Sequence, residues 1–436
     1  MGAFRRILVW IFQRIFGVYF RDIEVMGEVP PGDVRGRLFV SNHVNGIIDP
    51  ILVMITAGCE ISPVAKSTLW KVPGFNLLLW AVDAVQIVRR TDDPGKVGGL
   101  NNGVFDHVAD WLNRGGNILI FPEGTSHNEP HLVELKTGAA RMLQRAVERR
   151  GRSSGNGELT FQSVALSFDA REQFRSRALV IYGPVRSVGD FQEKGEAFVG
   201  AFTSKVRKDL TDMLVEGASW EEFRLIARVA ELLSHSEGDP TLSGWNVIGR
   251  RVEQAKQALL SAPDVIDNVR ARVDLYYSQL DKLGLTDAQL VLPRTGTWRS
   301  GLSKVGAVCL TPLALVGYTF YLLPYVTVAM IAKRVKSGDE ISTIKLGAGL
   351  LIFPLWALIL MVCTPAVVSG KAAGGLVLVE LLVPFIALWW KDQLPLILAD
   401  WQAVFDRGSV QAAKESRIQA MESIEAARAQ LQNFEG

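Results

Sequence analysis

Residues able to do chemistry concentrate in three short patches. They read Ser41-Asn42-His43-Val44-Asn45-Gly46-Ile47-Ile48-Asp49-Pro50, Val85-Gln86-Ile87-Val88-Arg89-Arg90 and Phe121-Pro122-Glu123-Gly124-Thr125-Ser126. His43 follows the apolar run Leu38–Val40, so it emerges at a strand end, where sites are commonly built. Asp49 stands before Pro50; proline favours the first position of a helix, which makes Asp49 its expected N-cap. The short loop between them lets the carboxylate fold back onto the imidazole. A carboxylate on one ring nitrogen fixes the tautomer and raises the basicity of the other. An alcohol is a weak nucleophile at neutral pH, and a positioned base of this kind accelerates its attack by roughly 10²–10⁴-fold. The plainer reading is an N-cap aspartate beside an incidental loop histidine.

The other two patches are ambiguous by themselves. Arg89 and Arg90 end a strand of alternating apolar residues, where a guanidinium fork can grip a phosphate with two bonds. They could equally be solvated or paired with Asp92 and Asp93. Gly124 permits close approach of backbone to ligand, its N–H is free to face a developing oxyanion, and Glu123 can accept from substrate hydroxyls. A well-formed turn carrying one charge explains that patch as well.

These groups need a scaffold to position them. From residue 22 to about 186 candidate strands (Ile23–Met26, Leu38–Ser41, Val85–Val88, Asn117–Phe121, Val164–Phe168, Leu179–Tyr182) alternate with helical stretches, one carrying Val104, Phe105, Val108, Trp111 and Leu112 on a single face. That alternation predicts an α/β domain around a central sheet. Ahead of it, residues 4–20 form an amphipathic helix: Arg6, Gln13, Arg14 and Arg21 on one side, Leu8, Ile11, Phe12, Ile15, Phe16 and Tyr19 on the other. Such a helix suits a membrane interface. Arg14 interrupts the apolar run and no small-residue cleavage site follows, which argues against a signal peptide.

The rest of the chain is helical in pattern. Residues 187–290 are charged and carry no catalytic signature. Three apolar runs follow at 305–332, 346–369 and 372–390, each reaching or approaching the ~20 residues that cross a bilayer. Basic residues flank both ends of the first run, which a helix broken at Pro312 or Pro324 and returning to the same side would reconcile. Glu380 lies mid-run, where charge is costly, so it must face other helices or be protonated. Residues 392–436 read as a polar helix of weak periodicity, either part of a coiled coil or simply solvated.

Composition narrows the function classes. A net charge of +2 over 436 residues gives no field to attract nucleic acid. Three cysteines, Cys59, Cys309 and Cys363, build neither a disulfide framework nor a CxxC site. Five histidines offer no metal-ligand spacing to His43 and Asp49, so no metal is expected and a metal-dependent hydrolase is disfavoured. Ser126 lacks the Gly-x-Ser-x-Gly elbow of a serine hydrolase. The basic stretch Arg141, Arg145, Arg149, Arg150 and Arg152 is either a solvated helix face or a seat for phosphates.

The order and spacing of the three patches resemble the glycerolipid acyltransferase superfamily of glycerol-3-phosphate and lysophosphatidate acyltransferases, most strongly the fungal-type glycerol-3-phosphate/dihydroxyacetone-phosphate acyltransferases. The likeness runs from Ile23 to Tyr182. It includes Ala65-Lys66-Ser67, Lys136-Thr137-Gly138-Ala139-Ala140 and Phe174-Arg175-Ser176-Arg177-Ala178-Leu179, and it extends weakly into Asp339–Lys345. Three departures stand out. The histidine–aspartate spacing is one residue longer than usual, Asp83 stands where the second patch normally starts with glycine, and Val164-Ala165-Leu166 lacks the usual proline.

The resemblance implies a glycerol-3-phosphate acyltransferase-like α/β domain with a mixed sheet, a helical insertion and C-terminal membrane helices. The chain then divides into 1–21, an interface helix; 22–186, the acyltransferase domain; 187–300, a helical region; 301–391, membrane-embedded helices; and 392–436, the polar tail. His43 would deprotonate the acceptor hydroxyl, Asp49 support the imidazolium, Arg89 and Lys66 bind the acceptor phosphate, and Glu123 and Gly124 position the acceptor. Acyl-CoA or acyl-carrier protein would donate to glycerol-3-phosphate, with lysophosphatidate or another lysophospholipid as the rival acceptor, and no cofactor. Membrane lipids would be partners and the catalytic domain would lie on the cytoplasmic face. A non-catalytic lipid-binding protein is the distant alternative, opposed by the joint presence of His43, Asp49, Arg89 and Glu123.

Overall fold

The computed structural model describes residues 3–71, 75–87, 97–150, 158–291, 298–335, 337–368 and 370–435. Two compact units emerge: residues 1–220 with 337–343, and residues 221–336 with 344–436.

The first unit is built in the order α1 (Ala3–Tyr19), β1 (Asp22–Gly27), β2 (Arg37–Ser41), α2 (Ile48–Thr56), β3 (Ser62–Lys66), α3 (Phe75–Ala81), β4 (Val85–Ile87), α4 (Val97–Asn113), β5 (Ile118–Ile120), α5 (Gly138–Arg150), β6 (Thr160–Phe168), β7 (Arg177–Ser187) and α6 (Glu196–Thr211). Seven strands form one mixed sheet in the order β1-β7-β6-β2-β5-β3-β4. The block β6-β2-β5-β3-β4 is parallel throughout, β7 runs antiparallel to β6, and β1 is parallel to β7. All five residues of β2 and all three of β5 are buried, as expected of central parallel strands covered on both faces. Parallel neighbours end together, so the C-terminal ends of β2, β5, β3 and β4 share one edge of the sheet. The first and third patches lie there, and the described part of the second, Val85–Ile87, runs to it.

Five of the six expected strands fall within two residues of their observed starts; the sixth, expected from Val164, begins four residues earlier at Thr160. The additional strand β3 is a short piece containing Pro63, too weak in β-pattern to announce itself. The unit also runs beyond residue 186, because α6 belongs to the sheet's core. Phe198 and Phe202 pack with Phe161 and Phe191.

The N-terminal helix α1 is built into this unit rather than merely lying beside it. Phe12, Phe16 and Tyr19 are buried, with Phe20 just beyond the helix. Arg5 reaches Asp83 and the carbonyl of Ile61, and Gln13 donates to the carbonyl of Ile55. The apolar side expected to face lipid is therefore divided. The stripe left in the open is Phe4, Ile7, Ile11 and Val18, with Trp10 under Arg14.

The second unit comprises α7 (Trp220–Glu237, from Glu221), α8 (Leu242–Ala258), α9 (Pro263–Leu283), α10 (Asp287–Val291), α11 (Trp298–Ala332), α12 (Gly338–Val367) after its first turn, α13 (Lys371–Phe405) and α14 (Arg407–Glu435). The polar tail is no isolated solvated helix. Its residues Val410, Ala413, Ala420, Ile424 and Ala427 are buried at helical spacing in a core shared with Val229, Val273, Tyr276 and Leu280. At the centre of this unit Asp287 accepts from His235, Tyr276 and Arg417.

Val305–Ala332, Gly338–Val367 and Ala372–Pro395 are long and apolar enough to cross a membrane. Helix α11 continues through Pro312 and Pro324, so the break expected there does not occur. Gly317 allows the backbone of α13 to come close: a Cβ would lie 2.6 Å from the carbonyl oxygen of Val383. Glu380 faces α12, where the Thr364 hydroxyl donates to its carboxylate at 2.8 Å.

Candidate active site

His43 sits two residues beyond β2, on a loop whose backbone is held almost entirely by side chains. Its entry is fixed by Asn42, whose amide donates to the carbonyl of Leu166 at 3.0 Å and accepts from the Leu166 N–H at 2.8 Å. In this way the side chain continues the β2–β6 ladder by one step. The loop then turns back so that a single carboxylate oxygen organises it. Asp49 Oδ2 accepts from His43 Nδ1 at 2.9 Å, from the Val44 N–H at 2.8 Å and from the Asn45 N–H at 2.7 Å.

Asp49 is not the N-cap of its helix. Helix α2 begins at Ile48, with Asp49 and Pro50 both in its first turn. An N–H is not needed at that point of a helix, so Pro50 costs nothing there. The freed carboxylate faces the loop, and its side chain is fully buried. With Nδ1–H committed to Asp49, the imidazole presents its Nε2 lone pair, and Nε2 makes no hydrogen bond among the described residues. The ring stacks on Phe121 with centroids 4.2 Å apart.

Phe121–Ser126 follows β5, the strand beside β2, which brings Glu123 to His43. The Glu123 carboxylate differs in role from the sequence expectation. Oε2 accepts from the His43 N–H at 2.5 Å and Oε1 from His127 Nε2 at 2.9 Å, with no part of the side chain exposed. Both oxygens are engaged by the protein, so Glu123 braces the loop carrying His43. His127 is its partner in this: its N–H donates to the His43 carbonyl at 3.2 Å, and its Nδ1 accepts from the Glu129 N–H at 3.1 Å. Nδ1 is thereby the acceptor and Nε2–H the donor to Glu123.

Gly124 also departs from expectation. Its N–H closes the turn onto the Phe121 carbonyl at 3.1 Å, so it does not point at a developing oxyanion. What requires glycine is the backbone: φ is +76°, and a Cβ would lie 2.5 Å from Lys136 Nζ. Lys136 itself is tied by its N–H to the Pro122 carbonyl at 2.7 Å, which sets its aliphatic stem across Gly124.

Lys66 is the last residue of β3, half-buried at the same sheet edge. Arg89 and Arg90 lie outside the described residues; β4 is described as far as Ile87, which pairs with Lys66. Asp83, where glycine is usual, has φ +52°. Aspartate is among the few side chains that tolerate that conformation, and here it is an ion-pair partner of Arg5 at 3.1 Å. The basic stretch on α5 is tied up structurally: Arg141 with Glu196, Arg145 with Asp106, and Arg149 with Asp106 and Asp110. Arg152 lies outside the described residues.

Sequence reasoning missed Arg171. It stands on the β6–β7 connection, and its Nη1 donates to the carbonyls of Val44 at 3.0 Å and His127 at 3.2 Å. Burial pushes its pKa below the ordinary guanidinium value, against the opposing charges of Asp49, Glu172 and Asp339. No motif marks this residue; only the fold brings it behind the His43 loop. Among the described residues, no cluster of three or more His, Cys, Asp or Glu is arranged to hold a metal ion.

Residues 23–167 match the family model named Acyltransferase. Glycerol-3-phosphate O-acyltransferase 2 of Saccharomyces cerevisiae is 28% identical over 200 residues, covering 45% of this chain and 26% of the yeast protein. A lyso-ornithine lipid O-acyltransferase of Pseudomonas aeruginosa is 26% identical over 166 residues, 38% of this chain and 54% of that protein. A chloroplastic 1-acyl-sn-glycerol-3-phosphate acyltransferase of Arabidopsis thaliana is 26% identical over 133 residues, 30% of this chain and 34% of its own length. The match to these relatives thus spans about a quarter to about half of their length. Among solved structures, the 1-acyl-sn-glycerophosphate acyltransferase PlsC from Thermotoga maritima aligns with a TM-score of 0.35 at 16% identity, over 47% of this chain and 78% of its own.

Proposed function

We propose that the protein is a membrane-bound O-acyltransferase that moves a fatty acyl chain from acyl-CoA or acyl-carrier protein to a hydroxyl of glycerol-3-phosphate. One observation carries the reading: His43 Nδ1 lies 2.9 Å from a buried Asp49 oxygen, inside a segment that matches acyltransferases. An imidazole so held is a base aimed through Nε2. It takes the acceptor's hydroxyl proton as the oxygen attacks the thioester carbonyl, and Asp49 stabilises the imidazolium. Collapse of the tetrahedral intermediate breaks the C–S bond, and the departing thiolate takes the proton from Nε2.

The acceptor phosphate is assigned to Lys66 and Arg89. Support comes from β3 and β4, which end on the same sheet edge as β2 and β5. Membrane attachment is assigned to the three apolar helices, with the open stripe of α1 as a second contact for the lipid surface, and the catalytic unit is assigned to the cytoplasmic side. A lysophosphatidate acceptor is the second reading, favoured by the name of the Arabidopsis relative. Base and phosphate cations would serve both acceptors alike.

The test is thiol release from acyl-CoA by the purified full chain, with glycerol-3-phosphate and lysophosphatidate offered separately. The proposal expects faster release with glycerol-3-phosphate and a lysophosphatidate product. Arg89→Ala should raise the acceptor KM roughly 10-fold or more, given ~1.5–3 kcal/mol for a charge-assisted bond. Acceptor-independent release, or none with either acceptor, would sink it.

A further inference from the structure

The acyltransferase match ends at residue 167, yet a segment far downstream is built into the first unit. Residues 337–343 belong to that unit, and Asp339 and Ser342 are buried there, Ser342 completely. The segment touches three separate pieces of the site. Thr343 Oγ1 accepts from the Ile47 N–H at 3.1 Å, across 296 positions of sequence. Asp339 accepts from the Ser126 hydroxyl, in the turn after Glu123, and also from Ser337. The Ser342 hydroxyl donates to the carbonyl of Arg171, the residue that holds Val44 and His127.

The loop has little regular structure of its own to rely on. The N–H groups of residues 43, 44, 45 and 47 are each bound by a side chain: Glu123, Asp49, Asp49 and Thr343. Three of those four anchors come from within the matched domain, and Thr343 does not. Gly46 shows how closely the segment sits. Its φ is +47°, and a Cβ there would lie 2.5 Å from Thr343 Oγ1 and 3.3 Å from the carbonyl oxygen of Asp339. Any side chain at position 46 would displace the segment.

We propose that Thr343 and Asp339 are positioning residues for the base: the first turn of α12 completes the active site by clamping the His43–Ile47 loop and the Glu123–Ser126 turn. This rests on the reading of His43 as the base. The clamp fixes where Nε2 points, so its loss should slow proton transfer and leave substrate affinity nearly untouched. A misplacement of about 1 Å in such a group can cost on the order of 100-fold in rate.

The experiment uses the full chain and reads kcat, both KM values and Tm for Thr343→Val, Thr343→Ser and Ser126→Ala, each with and without His43→Ala. Thr343→Val removes the hydroxyl acceptor in nearly the same volume. Its kcat should fall roughly 10- to 100-fold with KM values within twofold, and Thr343→Ser, which keeps the hydroxyl, should recover most of the loss. Ser126→Ala should act in the same direction through Asp339, and serves if Thr343→Val does not fold. In the His43→Ala background Thr343→Val should cost nothing more, since it acts only through the base. Unchanged kcat in both single variants would overturn the proposal. So would equal losses in Val and Ser, or a full additional loss without His43. If His43→Ala kept wild-type kcat, the base assignment itself would fail, a result read independently of Thr343.

Discussion

Asp49 gives the sharpest perturbation of the site. One oxygen of this fully buried carboxylate receives three hydrogen bonds, at 2.7, 2.8 and 2.9 Å. Alanine would orphan two backbone N–H groups and release the imidazole together. At ~1.5–3 kcal/mol for each bond to a charged group, that is a loss large enough to endanger folding. Asparagine separates the effects. Its amide oxygen can stand where Oδ2 stands and accept the same three bonds without the charge. The amide nitrogen then occupies the place of Oδ1, which is buried with no hydrogen-bond partner among the described residues, so Asp49→Asn should cost ~1–3 kcal/mol of stability. The catalytic loss should be far greater than the structural one: kcat down by ~10²–10⁴ with both KM values little changed, because the imidazolium has lost its counter-charge. Thiol release from acyl-CoA measures the rate and thermal melting confirms the fold. A folded Asp49→Asn protein with kcat within threefold of wild type would refute the reasoning.

Three further outcomes follow from the geometry. Glu123→Gln should lower kcat about tenfold or more while leaving the acceptor KM unchanged, since the two Glu123 oxygens each hold a different donor and the one glutamine oxygen can replace only one of them; a raised KM with normal kcat would return Glu123 to the acceptor. On α1, Phe16→Ala should cost ~3–5 kcal/mol because Phe16 is wholly buried, whereas Ile7→Ser on the open stripe should leave Tm nearly unchanged. Equal melting shifts would show that the docked face has been misassigned. Burial pushes the Cys59 thiol up to about 11, so at pH 8 it should be neutral and resist maleimide in the folded protein, becoming reactive in urea; rapid native labelling would contradict its burial.

The parts legible in the sequence are those whose partners are close in sequence or share a period. His43 and Asp49 lie on one short loop, so their pairing follows from local geometry even though the helix starts two residues earlier than Asp49 would allow as a cap. The alternation of strands and helices fixes the α/β class, and the apolar runs mark the long helices. What could not be read are contacts made across the chain. Glu123 looks like a substrate ligand until β5 is seen beside β2, where the nearest donors prove to be His43 and His127. The wheel of α1 shows one broad apolar face, but nothing local says that Phe12 and Phe16 dock while Phe4 and Ile7 remain open. Arg171 carries no motif at all, and Thr343 lies in the stretch Asp339–Lys345, whose weak likeness says nothing of what it touches. The absence of proline from Val164-Ala165-Leu166 makes sense only in the sheet, where Val164 sits in β6 paired on both sides and its N–H is needed.

The central claim is that His43 is the base for acyl transfer. Its most direct test is the rate of acceptor-dependent thioester cleavage by purified, folded His43→Ala in the full chain, with glycerol-3-phosphate and acyl-CoA both saturating. The expected result is a fall of ~10²–10⁴-fold in kcat at unchanged acceptor affinity. A kcat within a few-fold of wild type would contradict it.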